Sequence, residues 1–411
     1  GVIYVNAPNI RHLRAFLAVS KTKSISKATD IVFLSQPAIT QALSKLEDNF
    51  ETILFDRKSD GMYVTDSGQV LGARVERAME MIMEGIRDAV RIGGSENSGK
   101  VKQLLNVVTT TQLRAIIAVS AARSFSVAGR TLGLSQSSLH RSSRDLEGLL
   151  GVELFEKTSI GISPTKAALV LSKAAKLAFS EIEQGREEIY SLNNREIGHI
   201  VIGSMPLART SVLPSTIIEF TDRYPDFRIS VNDGPYADLL YHLRHADIDL
   251  LIGALRFPPP SDDVVQKELF SSQVVIVARP DHPFRHLEQL TLEQLGEASW
   301  VVPRIGTPTR KIFDTLFEEA GVALPGRLIE SSSQLLIRSL LEGSDRMTML
   351  SAHQVQRELS EGSLAVMPFS MSHAFRPIGI TMRKGWQPTA TQQALIDTLI
   401  DKSKALLDED L

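Results

Sequence analysis

Residues 34–47 read LSQPAITQALSKLE, and residues 134–147 read LSQSSLHRSSRDLE, one hundred positions further along the chain. The match extends beyond these stretches, because residues 13–65 and 113–165 align without a gap and share nineteen identities in fifty-three positions. A gapless match of this length indicates an internal duplication. Two copies are too few for a solenoid, so each copy is expected to be a small domain with its own core.

The bulk composition predicts a globular protein of several domains. The chain has 411 residues, of which 43% are hydrophobic and 23% charged, and such a length predicts roughly two to four domains. No apolar run is long enough to span a bilayer, and the opening residues GVIYVNAPNI lack the pattern of a secretory signal. The absence of cysteine excludes disulfides and thiolate metal sites and favours a cytoplasmic location.

The charge is distributed unevenly along the chain. The net charge is −3, yet residues 10–65 hold eight Lys/Arg against six Asp/Glu, and residues 110–165 hold six against four. Both copies are therefore mildly basic within an acidic whole. This distribution permits a nucleic-acid partner without establishing one.

The first copy has the pattern of three short helices. Apolar spacing predicts helices over 11–22 and 26–33, with Ser26 as the N-cap of the second, and Ser35 caps a third helix that has Pro37 in its first turn. The inward face of this third helix carries Ile39, Leu43, Leu46 and Phe50, and its outward face carries Gln36, Pro37, Thr40 and Gln41. An outer face of amides and hydroxyls suits reading of base edges in a major groove, and it equally suits simple solvation.

Residues 54–65, LFDRKSDGMYVT, add two predicted strands around a glycine turn. The whole pattern resembles the winged helix-turn-helix of LysR-type transcriptional regulators, and it is carried by Ser24, Ala28, Ser35, Gln36, Pro37, Leu46, Glu47, Leu54, Phe55, Arg57 and Thr65. The resemblance implies base reading by the outer face of the third helix, at Gln36, Pro37, Thr40 and Gln41. It also implies that Arg57 contacts the DNA backbone.

The second copy repeats these elements with different side chains. By the same resemblance its DNA-binding residues are Gln136, Ser137, His140, Arg141 and Lys157. Arg141 occupies the position of the family's base-reading arginine, where the first copy has Gln41. Ser143 replaces the apolar Leu43 and is expected to loosen the packing. For His140, contact with solvent or phosphate is favoured over a role as a metal ligand.

The first copy also departs from the family at the end of its second helix, where Ile31 and Phe33 replace polar residues. Two interpretations remain open for this pair. Either the side chains are exposed and pack against further protein, or the helix is rotated slightly and buries both.

A long apolar stripe follows each copy and predicts a long helix. The predicted boundaries are 10–65 for the first winged helix-turn-helix, 66–92 for its linker helix, 93–109 for a flexible linker containing GGSENSG, 110–165 for the second winged helix-turn-helix and 166–193 for its linker helix. In the family this helix dimerises with its counterpart. Pairing of the two linker helices within one chain and pairing between chains are both open.

Residues 196–411 alternate strands with helices, as in an α/β domain. Strands are predicted over 199–204, 227–233, 248–255, 274–280 and 299–303. The segment resembles the LysR effector domain, which implies the two-lobe architecture of type 2 periplasmic binding proteins. Lobe 1 is expected over about 196–267 and 368–411, and lobe 2 over about 268–367. The predicted fold is thus multidomain, with two all-α winged helix-turn-helix domains, long linker helices and an α/β effector domain.

Hydroxyl-rich loops that lead into helices mark the predicted ligand cleft between the lobes. The predicted effector-binding residues are Ser204, Met205, Pro206, Leu207, Thr210, Ser211, Gly306, Thr307, Ser332 and Ser333. Each hydroxyl taken alone is also an ordinary helix cap. Ends rich in hydrogen-bond donors favour an organic anion or a sugar-like effector.

No set of residues indicates an enzyme, because the chain has neither a glycine-rich phosphate loop nor an HExxH motif. His242 and His245, followed by Asp247 and Asp249, are better explained as a solvated helix face than as a metal site. We therefore expect no catalytic residues, no metal and no cofactor.

The expected function is ligand-responsive transcription regulation. The expected partners are double-stranded DNA, a small-molecule effector and further copies of the chain, with RNA polymerase a candidate and no membrane contact. Two alternatives remain: a regulator in which one winged helix binds protein and only the other reads DNA, and a solute-binding protein without a DNA role.

Overall fold

The computed structural model describes residues 3–206, 208, 212–371 and 374–409. The chain divides into two compact units, residues 1–198 and residues 199–411. The first unit contains the duplicated segment, and the second contains the α/β segment. Each unit is described by itself.

The first copy is a three-helix module followed by a two-stranded wing. Its elements are α1 (Ile10–Thr22), α2 (Ile25–Val32), α3 (Gln36–Phe50), β1 (Phe55–Lys58) and β2 (Gly61–Val64). The N-cap of α2 is Ser24, whose side chain accepts a hydrogen bond from the backbone N–H of Lys27, and not Ser26 as the sequence predicted. Ser35 caps α3 as predicted, accepting from the N–H of Ala38.

The wing is an antiparallel hairpin attached to the end of α1. The N–H of Met62 donates to the carbonyl of Lys23, a residue with a left-handed backbone conformation (φ 57°) that ends the helix. The hairpin means that the module is not strictly all-α, in contrast to the predicted fold class. Its strands pair from Phe55 with Val64 to Lys58 with Gly61.

The second copy reproduces this arrangement, preceded by a short helix in the connecting segment. The connecting helix is α5 (Val101–Val107), and the elements of the copy are α6 (Thr110–Ala122), α7 (Phe125–Leu132), α8 (Gln136–Leu150), β3 (Phe155–Thr158) and β4 (Gly161–Pro164). Ser124 and Ser135 cap α7 and α8 as Ser24 and Ser35 cap α2 and α3. The duplication seen in the sequence is therefore also a duplication of local structure.

Each copy continues into a helix of 27 residues, α4 (Asp66–Ile92) and α9 (Lys166–Leu192). The two helices pack against each other along their length. A Cβ added at Gly85 would overlap the Cβ of Ala174, and one added at Gly185 would lie 3.2 Å from the Cβ of Arg74. The residue facing α9 moves from Gly85 to Arg74 as the residue facing α4 moves from Ala174 to Gly185, so the two helices are antiparallel.

The segment between α4 and α6 is structured, in contrast to the flexible linker predicted over 93–109. It contains a 3₁₀ helix (Glu96–Lys100) and then α5. The hydroxyl of Ser95 donates to the carbonyl of Leu150 at 2.6 Å, and the amide of Asn97 donates to the carbonyl of Leu149 at 3.1 Å. These bonds satisfy carbonyls at the end of α8 that have no partner within the helix.

The two copies share a hydrophobic core, although each was expected to have its own. One cluster of buried side chains includes Phe16 and Leu46 of the first copy, Ile82 of α4, Leu113 of the second copy and Ile182 of α9. A smaller cluster around Phe125 and Leu139 belongs to the second copy alone. The paired long helices therefore join the copies into one folded body.

The second unit is built on one mixed sheet with helices on its faces. Its strands are β5 (His199–Ser204), β6 (Arg228–Asn232), β7 (Leu250–Ala254), β8 (Val264–Ala278), β9 (Ser299–Val302), β10 (Arg327–Glu330), β11 (Met347–Ser351), β12 (Ala365–Val366) and β13 (Phe375–Arg383), in the order β10-β9-β11-β8-β13-β7-β5-β6 with β12 beside β8. Its helices are α10 (Val212–Arg223), α11 (Tyr236–Arg244), α12 (Leu292–Glu297), α13 (Pro308–Glu319), α14 (Gln334–Glu342), α15 (Gln356–Glu361) and α16 (Ala390–Glu409).

Two separate cores define the two lobes of this unit. Phe270 and Ile378 belong to the core of lobe 1, and Val274 and Met371 belong to the core of lobe 2. The long antiparallel strands β8 and β13 pass from one lobe to the other side by side, with Ser271 opposite Pro377. Both crossings thus lie several residues after the predicted boundaries at 267 and 367, because the strands continue through the lobe junction.

Within the described part of the chain, no single helix is both long and apolar enough to cross a membrane. One bent pair, formed by residues 96–107 and 110–122, meets the length and composition criterion only when the two helices are taken together.

Candidate nucleic-acid interface and ligand cleft

The outer face of α3 is available for contact with a partner. Gln36, Pro37, Thr40 and Gln41 are all exposed, whereas the inward side chains Ile39, Leu43, Leu46 and Phe50 are buried. Among the described residues, the side chains of Gln36 and Gln41 have no hydrogen-bond partner. An amide that is not already bonded within the protein can pair with the adenine edge in a major groove.

The outer face of α8 carries a different chemistry. Gln136, Ser137 and Arg141 are exposed. His140 is half-buried and stacks on the ring of Phe125, with 3.8 Å between ring centroids, so its ring face is occupied by protein. The described residues contain no cluster of three or more potential ligands for a metal ion. The guanidinium of Arg141 is therefore the main group this helix adds beyond those of α3.

Both wings present a cation to solvent. Arg57 on β1 and Lys157 on β3 are exposed, and neither is paired with an acidic residue in the described part of the chain. An exposed cation on a hairpin beside a reading helix can neutralise a backbone phosphate. The structure thus places every predicted DNA-binding residue on one of the two helix faces or wings.

The carboxyl ends of α3 and α8 are each bonded to other parts of the first unit, by different residues. For α3, Arg186 of α9 donates to the backbone carbonyl of Asn49 at 2.7 Å and lies over the ring of Phe50 at 4.4 Å. For α8, the bonds come from Ser95 and Asn97. The two helices are therefore held in fixed positions relative to the α4–α9 pair.

The structure shows the surroundings of the residues at which each copy departs from the family pattern, Ser143 in the second copy and Ile31 and Phe33 in the first. Ser143 is buried, and its hydroxyl has no hydrogen-bond partner within the described structure. Ile31 and Phe33 are 50% and 78% exposed, so the alternative in which a rotated helix buries them does not apply. Phe33 also has a left-handed backbone (φ 55°), a conformation disfavoured for a bulky residue.

A pocket that is partly open to solvent lies between the lobes of the second unit. Of the predicted effector residues, Met205, Pro206, Thr307 and Ser332 line it. Gly306 lines a second, adjoining pocket that shares Arg256 and Arg376 with the first. Leu207, Thr210 and Ser211 lie outside the described residues.

Two predicted effector residues serve the protein itself. Ser204 is fully buried, and its hydroxyl donates to the carbonyl of Met205. Ser333 is the N-cap of α14, where its side chain accepts from the N–H of Leu336. Neither lines the two pockets. Thr307 likewise caps α13, so its hydroxyl is only partly available to a ligand.

Sequence reasoning missed the arginines that line the pocket, Arg256, Arg338 and Arg376, of which Arg256 and Arg376 form no ion pair within the described residues. Arg256 follows β7 and lies over the ring of Tyr236 at 3.9 Å. Arg376, at the start of β13, donates to the hydroxyl of Thr309, and its buried Nε has no partner among the described residues. Sequence spacing gave no signal, since the fold alone brings these residues together.

The electrostatics of this arginine pair are unfavourable in the absence of a ligand. Burial, and secondarily the charge of Arg256, lower the pKa of Arg376 to about 10. Burial also lowers the pKa of Arg256. By contrast, Arg310 at the pocket edge is paired with Asp314 at 2.9 Å and with Glu330 at 3.4 Å. An anion between Arg256 and Arg376 would supply the charge that the protein does not.

The histidine pair outside the pocket has local partners. His242 pairs with Asp247 at 3.1 Å, and His245 stacks on Tyr241. Asp249 accepts from the N–H of Val201 and lies near Arg383. These contacts agree with a structural explanation of the histidines.

Two winged helix-turn-helix modules in the same chain as a two-lobe domain with a pocket between its lobes are typical of a class of protein, the ligand-responsive DNA-binding regulators. Comparison with known families agrees with this class. The family model "LysR substrate binding domain" matches residues 193–404. The model "Bacterial regulatory helix-turn-helix protein, lysR family" matches residues 10–69 and, separately, residues 110–169.

Individual relatives differ in how much of the chain they match. The HTH-type transcriptional regulator GalR of Pseudomonas putida is 32% identical over 395 residues, covering 96% of this chain and 97% of its own length. GbpR of Azospirillum brasilense is 26% identical and covers 65% of this chain and 79% of its own length. The chain belongs to the LysR family of transcriptional regulators, and its relatives are regulators and not enzymes.

Solved structures of similar fold match a large part of the chain but not all of it. A full-length variant of OxyR from Pseudomonas aeruginosa has a TM-score of 0.51 at 23% identity and covers 72% of this chain and 94% of its own. Full-length CbnR complexed with its target DNA has a TM-score of 0.50 at 17% identity and covers 71% of this chain and 98% of its own. These likenesses concern the fold alone.

Proposed function

We propose that this chain is a transcriptional regulator in which both winged helices contact double-stranded DNA and an effector in the inter-lobe cleft controls that contact. One observation carries the proposal: α3 and α8 both present an exposed polar face beside an exposed wing cation. Phosphate contacts by the wings would supply affinity, and the helix faces would supply sequence preference.

One observation favours the alternative in which the first copy binds protein. Ile31 and Phe33 are exposed apolar side chains at the end of α2, and exposed apolar groups often mark protein interfaces. In that case DNA reading would fall to the second copy, whose α8 carries Arg141. The two possibilities predict different results for the same pair of substitutions.

Footprinting of the full chain on operator DNA, with Gln41→Ala and Arg141→Ala prepared separately, tests the proposal. If both copies read DNA, each substitution weakens protection in a different part of the footprint, with a loss of about 1–3 kcal/mol for Arg141→Ala. If only Arg141→Ala has an effect, the first copy is not a reader. Absence of salt-dependent duplex binding would overturn the regulator proposal altogether.

For the effector, the cleft favours an organic anion over a sugar. Arg256 and Arg376 offer two cations that form no ion pair within the described residues, whereas the third arginine of the lining, Arg338, pairs with Glu342 and Glu358. The inner wall is apolar, formed by Leu341, Leu350 and Leu364. A ligand with an anionic head and an apolar body would match both parts.

Thermal unfolding of the full chain with a panel of organic carboxylates and neutral sugars tests this ligand class. We expect a matching carboxylate to raise the melting temperature, since a ligand at a hundred times its Kd stabilises by about 2.7 kcal/mol. Arg376→Met should abolish that response and leave the unliganded protein as stable or more so, because it removes a buried, unpaired charge. Arg304→Met, at an exposed position, is the matched control. A response to sugars alone would contradict the proposal.

Assembly into homo-oligomers, contact with RNA polymerase and a cytoplasmic location complete the proposed function. These three statements are supported by the family alone and by no contact within the described structure.

A further inference from the structure

The paired linker helices relate the two copies by an approximate two-fold axis. Gly85 of α4 faces Ala174 of α9. Gly185, the equivalent of Gly85, faces Arg74, the equivalent of Ala174. The starts of the two modules also meet, because the hydroxyl of Thr110 accepts from the N–H of Ile10 at 2.8 Å and these two residues are equivalent positions of the copies. The chain therefore contains, within itself, the arrangement of a dimer of winged helices.

Charge breaks the symmetry of this helix pair. The guanidinium of Arg74, with only 7% of its side chain exposed, pairs with Glu181 at 2.8 Å and also with Glu188. Arg77 pairs with the same Glu181 oxygen at 2.8 Å. In the other copy, the positions equivalent to Arg74 and Arg77 are Ala174 and Leu177, and the position equivalent to Glu181 is Met81.

This asymmetry distinguishes the α4–α9 pair from a pair of two α4 helices or of two α9 helices. If α9 paired with α9 of another chain in the same register, Glu181 would face Ala174 and Leu177 and lose both arginines. If α4 paired with α4, Arg74 would face Met81 in place of Glu181, and Asp88 in place of Glu188 would be its one remaining acidic partner. A buried ionic group that loses a partner is unfavourable. Glu181 would lose both arginines in a pair of α9 helices, and Arg74 would lose one of its two acids in a pair of α4 helices, so α4 is more complementary to α9 than either helix is to itself.

The unlike helices carry unlike reading surfaces. On the α4 side, α3 offers the amides of Gln36 and Gln41. On the α9 side, α8 offers the guanidinium of Arg141, which is the side chain best suited to guanine. Each reading helix is fastened at its carboxyl end, α3 through Arg186 and α8 through Ser95 and Asn97.

We propose that one folded first unit reads a non-palindromic operator made of two different half-sites, a guanine-containing one read by α8 and a second one read by the amides of α3. The proposal rests on the proposed function, since it presupposes that both copies contact DNA. A symmetric dimer reads a palindrome because its two reading helices are identical. In this structure the pair is one α3 and one α8, which removes the reason for a palindrome within the DNA that one first unit covers.

Selection of binding sites from a random duplex library by the full-length protein tests the proposal. The wild-type chain is expected to enrich a site whose two halves differ. Gln41→Arg is then expected to change the base preference of one half-site toward guanine and to leave the other unaltered. Arg141→Gln, the reciprocal substitution, is expected to remove the guanine preference of the other half-site alone, with a loss of affinity of tenfold or more.

The possible failures are distinguishable. A palindrome within the stretch of DNA covered by a single first unit, or a change of both halves of that stretch by either substitution, would show that like copies pair on DNA and would overturn the inference. Enrichment of a single half-site that responds only to Arg141→Gln would overturn it as well, while leaving a regulator with one reading copy. If the protein enriches no sequence at all, the proposed function itself fails. Arg91→Gln, which removes an exposed cation of α4 from its pair with Asp88, is the control and should leave both halves unchanged.

Discussion

Ser143 is a buried polar residue in a position that the first copy fills with Leu43. Its side chain is 3% exposed, and its hydroxyl has no hydrogen-bond partner within the described structure. A buried hydroxyl without a partner keeps its full desolvation cost. We expect Ser143→Ala to stabilise the first unit by roughly 1 kcal/mol, or about 2–4 °C in melting temperature for a body of this size.

Ser142→Ala provides the comparison for this change, because Ser142 lies next to Ser143 in α8 but is only half-buried. Its melting temperature should differ from that of the wild type by less than that of Ser143→Ala. A decrease in stability for Ser143→Ala, measured by calorimetry, would mean that the hydroxyl is bonded, for instance through water.

At the same scale, sequence reasoning succeeded where a residue's environment is set by its own helix. The exposure of Gln36 and Gln41 and the burial of Leu46 follow from helical periodicity, which the chain carries locally. It failed for Arg256 and Arg376. Those two residues are distant in the sequence and meet only because β7 and β13 are neighbours in the sheet.

At the scale of elements, the contact between α4 and α9 depends on a residue without a side chain. A Cβ at Gly85 would overlap that of Ala174. Gly85→Ala is therefore expected to destabilise the first unit by about 1–3 kcal/mol through overpacking. The double variant Gly85→Ala/Ala174→Gly moves the methyl group to the opposite helix and should recover most of that loss, as measured by chemical denaturation of each variant.

Gly72 in the same helix is the matched control. A Cβ there would make only ordinary contacts with the ring of Phe16, at 3.7 and 3.9 Å. Gly72→Ala should thus stabilise by roughly 0.5–1 kcal/mol, as expected for alanine in place of glycine inside a helix. If Gly85→Ala behaves in the same way as Gly72→Ala, the two long helices do not pack as closely as described.

The sequence predicted two features wrongly, the linker between the copies and the lobe boundary in β8. Both depend on contacts with residues far away in the chain. GGSENSG is typical of a flexible linker, yet Ser95 and Asn97 bond to carbonyls at the end of α8, more than fifty residues later. Similarly, β8 runs through the lobe junction because β13 pairs with it there. The bounds of α4, by contrast, agreed with the predicted 66–92, since Thr65 caps its start and its apolar stripe is continuous.

At the scale of the whole molecule, the duplication could be found in the sequence, but its consequence could not. The apolar stripes of α4 and α9 permit pairing within a chain or between chains equally well. What the structure adds is the pairing of Arg74 with Glu181, which favours α4 against α9 over a pair of like helices. A duplicated domain can therefore carry the asymmetry that a dimer of identical chains cannot.

The contribution of each wing to phosphate binding can be measured separately. Each wing contributes one exposed cation, Arg57 in the first copy and Lys157 in the second. The slope of log affinity against log salt falls by about one unit for each lost phosphate contact. We expect Arg57→Gln and Lys157→Gln each to reduce the slope by about one for the same DNA fragment, and the double variant by about two.

The salt dependence of binding also tests whether the first copy contacts DNA or another protein. If it binds protein through Ile31 and Phe33 and does not touch DNA, Arg57→Gln will leave the salt slope unchanged while Lys157→Gln still reduces it. Lys102→Gln, in the exposed part of α5 and away from both wings, controls for the general loss of one positive charge. Equal effects of Arg57→Gln and Lys157→Gln, with none from Lys102→Gln, would mean that both copies lie on the same duplex, as reading of two unlike half-sites by one chain requires.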